Sequence, residues 1–94
     1  MITGKTKTGF EFEISESIGS DARLGWYVAM AEDSDESTQI KAYRKLMLLI
    51  FGSDDKIEKL FEHIASLNSG SVPQSALNAE MADVILASKD LKNS

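Results

Sequence analysis

The sequence contains no cysteine and only one histidine, one proline and one tryptophan in 94 residues. Without cysteine the chain can form neither disulfide bonds nor thiolate metal sites, and it suits a reducing compartment. A single histidine, His63, cannot supply a two-histidine metal site, and any Ser-His-Asp triad would have to use it. His63 stands beside Glu62, off the apolar stripe of its predicted helix. We therefore expect a solvated side chain.

Long apolar runs and glycine-rich loops are also missing. No apolar run is longer than the six residues of Leu46–Phe51, far fewer than a membrane-spanning helix needs. The N-terminal residues 1–7 lack the apolar segment of a secretory signal. No glycine pattern cradles a phosphate, and no nucleophile-elbow sequence presents a serine. We therefore predict a soluble, cytoplasmic protein that is not an enzyme and uses no cofactor or metal.

Cations are fewer than anions: 10 Lys and Arg stand against 15 Asp and Glu, for a net charge of −5. This balance argues against nucleic-acid binding, which needs cations to displace phosphate counterions. Asp33, Asp35 and Ser37 resemble the opening of a calcium-binding EF-hand loop. That loop needs glycine at its sixth place and glutamate at its twelfth, where this chain has Thr38 and Arg44. We therefore predict no calcium site.

Two further polar features have simple structural explanations. Ser53, in Gly52–Asp55, occupies a place comparable to the modified serine of acyl carrier proteins, but the residues around it differ from that motif, so we predict a helix cap. Lys41, Arg44 and Lys45 share one face of the second predicted helix. A solvated face is expected there, and a contact strip for an acidic partner is the alternative.

The spacing of apolar residues predicts a mainly α fold: a single domain, 1–94, with a β-hairpin over 2–14, four helices over 20–89 and a flexible tail at 90–94. Phe10, Phe12 and Ile14 alternate with polar residues, as in a strand with one buried face. The predicted helix starts are Ser20 or Asp21, the acidic stretch 33–36, Ser53 and Pro73. The predicted ends are Glu32, Gly52, the stretch 68–71 and Lys89. The predicted core stripes of the last three helices are Ile40, Tyr43, Leu46, Met47 and Ile50; Ile57, Leu60, Phe61 and Ile64; and Leu77, Met81, Val84 and Ile85.

Apolar residues cover too many faces of the first two helices for a domain of this size. In the first helix Leu24, Tyr27 and Val28 form one stripe, whereas Trp26 and Met30 point elsewhere. The second half of the next helix is apolar all round. A small domain cannot bury every side of two helices, so we predict contact with other protein chains. The candidate interface residues are Leu24, Trp26, Tyr27, Met30, Met47 and Phe51.

Several segments resemble, in order, the small tail assembly chaperones of long-tailed phages and prophages of Gram-positive bacteria. The segments that carry the resemblance are Lys7–Ile14, Trp26, Leu48–Gly52, Lys59–His63, Gly70–Pro73 and Ile85. Two positions differ from the family pattern: Gly25 replaces an acidic residue before the tryptophan, and Ser71 replaces an arginine in the turn before the last helix.

The resemblance implies a non-catalytic chaperone in the bacterial host cytoplasm that binds the tape-measure protein, a long helical tail protein. Self-association is a further expectation, from the surplus apolar surface. In that family a longer second product arises by ribosomal slippage, and Lys92-Asn93 is a pair that an adenine run can encode. Two alternatives stay open. One is a structural tail-completion protein of the virion, and the other is a small acidic regulatory or inhibitory module. The interspersed Lys and Arg residues weaken the second, because a DNA mimic needs one continuous acidic face.

Overall fold

A computed structural model describes residues 2–90, and the predicted tail beyond Asp90 lies outside the described residues. These residues form a two-stranded β-hairpin, one 3₁₀ turn and four α-helices. The elements are β1 (Ile2–Lys5), β2 (Glu11–Ile14), the 3₁₀ turn (Ile18–Ser20), α1 (Ala22–Ala31), α2 (Glu36–Phe51), α3 (Asp54–Leu67) and α4 (Gln74–Asp90). The predicted mainly helical fold with an N-terminal hairpin is confirmed. No helix within residues 2–90 is long and apolar enough to cross a membrane.

The hairpin is antiparallel, and its register pairs Ile2 with Ile14 and Gly4 with Phe12. Its loop closes where the Thr6 amide donates to the Phe10 carbonyl (2.9 Å) and the Gly9 amide donates to Thr6 (3.0 Å). The alternation in β2 buries Phe12 and Ile14 and exposes Glu11 and Glu13. The predicted period-2 pattern therefore places the apolar face of the hairpin on the helices.

The helix boundaries follow from side-chain caps. Asp21, Asp35 and Ser53 each accept a hydrogen bond from a backbone amide in the first turn of the helix that follows, as expected of N-cap residues. Gly52 ends α2 in the left-handed conformation, with φ of +86°. Its amide donates to the Leu48 carbonyl (3.0 Å), which satisfies one of the open carbonyls of the last turn.

A single apolar core joins the hairpin to all four helices. Its members are Phe12, Ile14, Ile18, Leu24, Leu46, Met47, Ile50, Phe51, Ile57, Leu60, Ile64, Met81 and Val84. The aromatic end of α2 is covered by the hairpin, since the Phe51 ring lies 6.2 Å from that of Phe10 and 6.0 Å from that of Phe12. Edge-to-face packing at these distances adds to the apolar burial.

One predicted core position is wrong. Ile40 was expected on the buried stripe of α2, but its side chain is 54% exposed. It lies in the second turn of α2, where it borders an open depression between α2, α3 and α4. No element covers that side of the helix within the described residues, so the periodicity correctly gave the direction of the side chain but not its burial.

Candidate functional site

Two openings among the helices share Tyr43 of α2 in their lining, and together we call them the Tyr43 groove. It consists of two depressions that share this tyrosine. One, of about 370 Å³, lies between α1, α2 and α4 and includes Val28, Ala31, Ile85 and Leu86 in its lining. The other, of about 300 Å³, lies between α2, α3 and α4 and is lined by Ile40, Met47, Phe61 and Leu77 among others.

Two large apolar side chains stand exposed in the lining of the groove, one in each depression. Leu86 is 58% exposed and borders the first depression, and Ile40 is 54% exposed and borders the second. Isolated exposed apolar residues are ordinary on protein surfaces. Here each adds to the apolar lining of its depression, and the two depressions share Tyr43. Grooves that bind helical protein segments have apolar linings of this kind.

Charged residues of both signs line the same groove. Glu32 and Lys89 border the first depression, and Arg44, Asp54 and Glu58 border the second. An apolar floor with a mixed charged rim favours a ligand that has an apolar stripe flanked by charges. An amphipathic helix has this pattern.

The six predicted interface residues divide into core and surface. Leu24, Met47 and Phe51 are 4%, 6% and 3% exposed and belong to the core. Their burial corrects the predicted surface at these positions, because the hairpin and neighbouring helices already cover them. Trp26 is 74% exposed.

The remaining two, Tyr27 and Met30, are half-buried. The Lys45 ammonium lies 5.5 Å from the centre of the Tyr27 ring, within cation–π range. Lys41, Arg44 and Lys45 are all exposed, as predicted for a solvated face. The sequence prediction assigned Ile85 to the core and did not name Leu86 as an interface residue. The one sequence signal for Leu86 was its place beside the apolar stripe of the last helix.

A polar cluster joins the hairpin turn to α3 and α4. The Thr8 hydroxyl donates to Glu80 Oε1 (2.5 Å) and lies 2.9 Å from His63 Nε2. The Lys7 amide donates to Asp83 Oδ2 (3.0 Å). His63 also faces the Phe10 ring at 5.3 Å. The expectation of a merely solvated histidine is therefore wrong, because the hairpin turn folds over this side chain.

The order of these groups determines what they can do chemically. A hydroxyl has one proton to donate, and here the Thr8 proton is directed to Glu80, so His63 Nε2–H donates to Thr8. In a nucleophilic triad the imidazole lies between the hydroxyl and the carboxylate and accepts the hydroxyl proton. In this cluster the hydroxyl lies in the middle. The arrangement is suited to fastening the hairpin to the helices.

The acidic residues that resemble an EF-hand opening cap α2 instead. Asp33 Oδ1 accepts from the Asp35 amide (2.8 Å), and Asp35 Oδ2 accepts from the amide (3.0 Å) and hydroxyl (2.8 Å) of Thr38. Ser53 accepts from the Lys56 amide (3.4 Å) as the cap of α3. Within residues 2–90 no three His, Asp or Glu side chains are grouped closely enough to hold a metal ion.

Comparison with known proteins yields no match: no family model matches the chain, and no curated protein or solved structure is significantly similar to it.

Proposed function

We propose that this protein is a non-catalytic tail assembly chaperone of a phage or prophage, acting in the cytoplasm of the bacterial host. Its client in this proposal is the tape-measure protein, and the Tyr43 groove binds amphipathic helical segments of that client. The observation that carries the proposal is the pair of apolar depressions that share Tyr43, one bordered by exposed Leu86 and the other by exposed Ile40. The family resemblance of the sequence supplies the identity of the client.

The two depressions suit two anchors on one helix. Side chains at positions i and i+3, i+4 or i+7 project from the same face of a helix and can enter neighbouring hollows. The rim residues Glu32 and Lys89, and then Arg44 and Glu58, offer both charge signs to the polar flanks of such a helix. A long helical client presents this pattern repeatedly, so several copies of the chaperone can cover it.

The acidic net charge supports the same role. At a net charge of −5, copies bound along one client repel one another and keep the assembly dispersed. The exposed Lys and Arg residues of α2 stay available for acidic parts of the client. In this role the bound chaperones leave the client when the tail tube replaces them. A moderate affinity of the chaperone for the client is therefore appropriate.

Co-expression tests this proposal. The client should be recovered in the soluble fraction when the chain is present and should aggregate without it. Leu86→Glu places a charge in the groove and should abolish the effect, whereas Leu67→Glu should preserve it. Leu67 is 56% exposed, nearly the same as Leu86 at 58%, but lines neither depression.

Equal solubility of the client with and without the chain would refute the chaperone function. An equal loss of client solubility in both variants would refute the assignment of client binding to the Tyr43 groove. Mass spectrometry of purified phage particles distinguishes a chaperone from a tail-completion protein, because the tail-completion protein stays in the virion and the chaperone leaves.

A further inference from the structure

The outer edge of β2 carries unpaired backbone groups. The sheet has two strands among the described residues, so β2 has a neighbouring strand on one side only. The Thr6 amide donates to the Phe10 carbonyl, which makes Thr6–Phe10 a hydrogen-bonded pair of the antiparallel ladder, and such pairs alternate with non-bonded ones. Phe12 is therefore bonded to β1, whereas the amides and carbonyls of Glu11 and Glu13 point away from it. We call this side of the strand the β2 edge.

These outward-pointing groups have the spacing of a strand. Outside the hairpin, no backbone group within residues 2–90 forms a hydrogen bond with Glu11 or Glu13. A row of unpaired amides and carbonyls along a strand is a template for one more strand. An extended segment that lies beside β2 can bond to all four groups, as β1 does on the other side.

A depression of about 450 Å³ borders the β2 edge. It is lined by the consecutive residues Phe10–Glu13, by Thr3, by Phe51 at the end of α2, and by Lys56 and Lys59 of α3. The rings of Phe12 and Phe51 lie 6.0 Å apart, edge to face. Successive side chains of a strand point to opposite faces, so every second residue of an added strand lies on the Phe12 side and meets this aromatic lining.

The two glutamates determine which strand can join the edge. Glu11 and Glu13 are exposed and project from the same face of β2. The ion pairs within residues 2–90 are Lys7–Asp83 and Arg23–Asp21, so both carboxylates are available to a partner. Opposite charges that face each other across two strands stabilise the pair, and like charges destabilise it. The edge therefore favours a strand with basic residues at two alternate positions.

The same charges disfavour a second copy of β2. In an antiparallel pair, the residues whose backbone groups bond across the edge stand directly opposite each other. On β2 these residues are Glu11 and Glu13, so every such pairing of two copies places a glutamate opposite a glutamate. Repulsive pairs of this kind are a common means of keeping identical edges apart.

We infer that the β2 edge binds an extended segment of another protein, with Lys or Arg at two alternate positions and an apolar residue between them. The basic side chains face Glu11 and Glu13, and the apolar side chain enters the aromatic depression. Lys56 and Lys59 can cover it with their aliphatic stems while their ammonium groups stay in water. The edge shares no lining residue with the Tyr43 groove, and the inference does not depend on the client proposed above.

NMR titration of the whole chain with the peptide Thr-Lys-Val-Lys-Val-Lys-Thr tests the inference. A short segment held by four backbone hydrogen bonds is expected to bind with a dissociation constant on the order of 1 mM. The amide protons of Glu11 and Glu13 should move to lower field as they become hydrogen-bonded, and the amide proton of Phe12 should move less. Unchanged resonances of both glutamates at about 10 mM peptide, well above that constant, would overturn the inference.

Proline variants identify the edge. Glu13→Pro removes one outward amide, and an edge strand tolerates proline where its N–H faces the solvent. This variant should bind the peptide severalfold more weakly. Thr3→Pro is the control, because Thr3 pairs with Glu13 in the register and its amide points outward from the opposite edge, that of β1. Circular dichroism verifies that both variants fold. Full binding by Glu13→Pro, or a loss in Thr3→Pro alone, would overturn the inference.

Charge reversal tests the choice of partner without removing an amide. The unchanged chain should prefer the basic peptide to Thr-Glu-Val-Glu-Val-Glu-Thr by at least about fivefold in dissociation constant, and Glu11→Lys combined with Glu13→Lys should reverse this order. The same preference in both chains would overturn the role of the two glutamates. A dimer in sedimentation equilibrium that Glu13→Pro abolishes would identify a second copy as the occupant and would also overturn the inference.

Discussion

Glu80 is a buried carboxylate whose two oxygens have different environments. The residue is 4% exposed; Oε1 accepts from Thr8, and Oε2 has no hydrogen-bond partner among the described residues. Burying a charged group without full pairing is costly. The Thr8 hydroxyl is therefore the contact that makes this burial tolerable, and it holds the hairpin turn to α4 across 72 residues of sequence.

Thr8→Val should lower the free energy of unfolding by about 1–3 kcal/mol, the typical cost of a buried polar group left without its partner. Thr3→Val is the control, because Thr3 lies exposed in the same hairpin. In a Glu80→Met background the cost of Thr8→Val should nearly vanish. Urea denaturation of the four chains gives this coupling, and strict additivity would show that the Thr8–Glu80 bond carries no stability.

Asp21 supplies a pH dependence at the start of α1. The Arg23 side-chain hydrogen bonds, and then the Arg23 backbone amide, lower the pKa of Asp21 from its ordinary 3.8 to about 2. Because the folded-state pKa is the lower one, the stabilisation is complete above about pH 3.8 and is lost as the pH falls through about 2. Arg23→Met should raise the pKa of Asp21 only partly, since the backbone amide remains.

Carbon-detected NMR titration measures this pKa, with Arg44→Met as the control. Arg44 is also exposed but lies on α2, so its removal should leave the pKa of Asp21 unchanged. A pKa near 3.8 in the unchanged chain would contradict the account of this cap.

At the scale of single elements, the hairpin depends on a glycine that the alternating pattern does not explain. Gly4 pairs with Phe12, and a Cβ atom at Gly4 would lie 2.6 Å from Cζ of the Phe12 ring. That ring is buried and packs against Phe51. The glycine is therefore required by close packing of an aromatic ring over the strand.

Gly4→Ala should destabilise the fold by about 1–3 kcal/mol, as expected of overpacking in a filled core. Gly25→Ala makes the same change at a solvent-exposed position, since a Cβ atom there meets nothing within 4 Å. It should stabilise the chain by about 0.5–1 kcal/mol, because alanine favours a helix over glycine. Thermal unfolding at dilute concentration compares them, and equal effects of the two substitutions would contradict the packing described for Phe12.

Local sequence signals predicted the elements well and their long-range contacts poorly. Asp21, Asp35, Ser53 and Gly52 act within one turn of their own helix, so their roles can be recognised from nearby residues. The Thr8–Glu80 bond depends on how α4 returns to the hairpin, which no local pattern specifies. Glu80 does stand at core spacing, three residues after Leu77 and four before Val84, and this was the one signal available.

At the scale of the whole molecule, burial decides which apolar residues can bind a partner. Composition alone does not show which apolar residues are buried. The excess of apolar residues in the first two helices was visible in the sequence. The hairpin buries Phe51, and the packing of the helices buries Met47, whereas Trp26, Ile40 and Leu86 remain exposed. The chain therefore has two separate exposed apolar features, Trp26 on α1 and the Tyr43 groove.

Hydrogen–deuterium exchange on the chain, with and without a helical segment of the tape-measure protein, tests the central claim most directly. Amides slow their exchange where a partner restricts local opening. The account predicts slower exchange in α2 around Tyr43 and in α4 around Leu86, with the hairpin unchanged, and loss of this effect in Leu86→Glu but not in Leu67→Glu. Unchanged exchange in both segments at saturating partner, or protection confined to the hairpin, would contradict it.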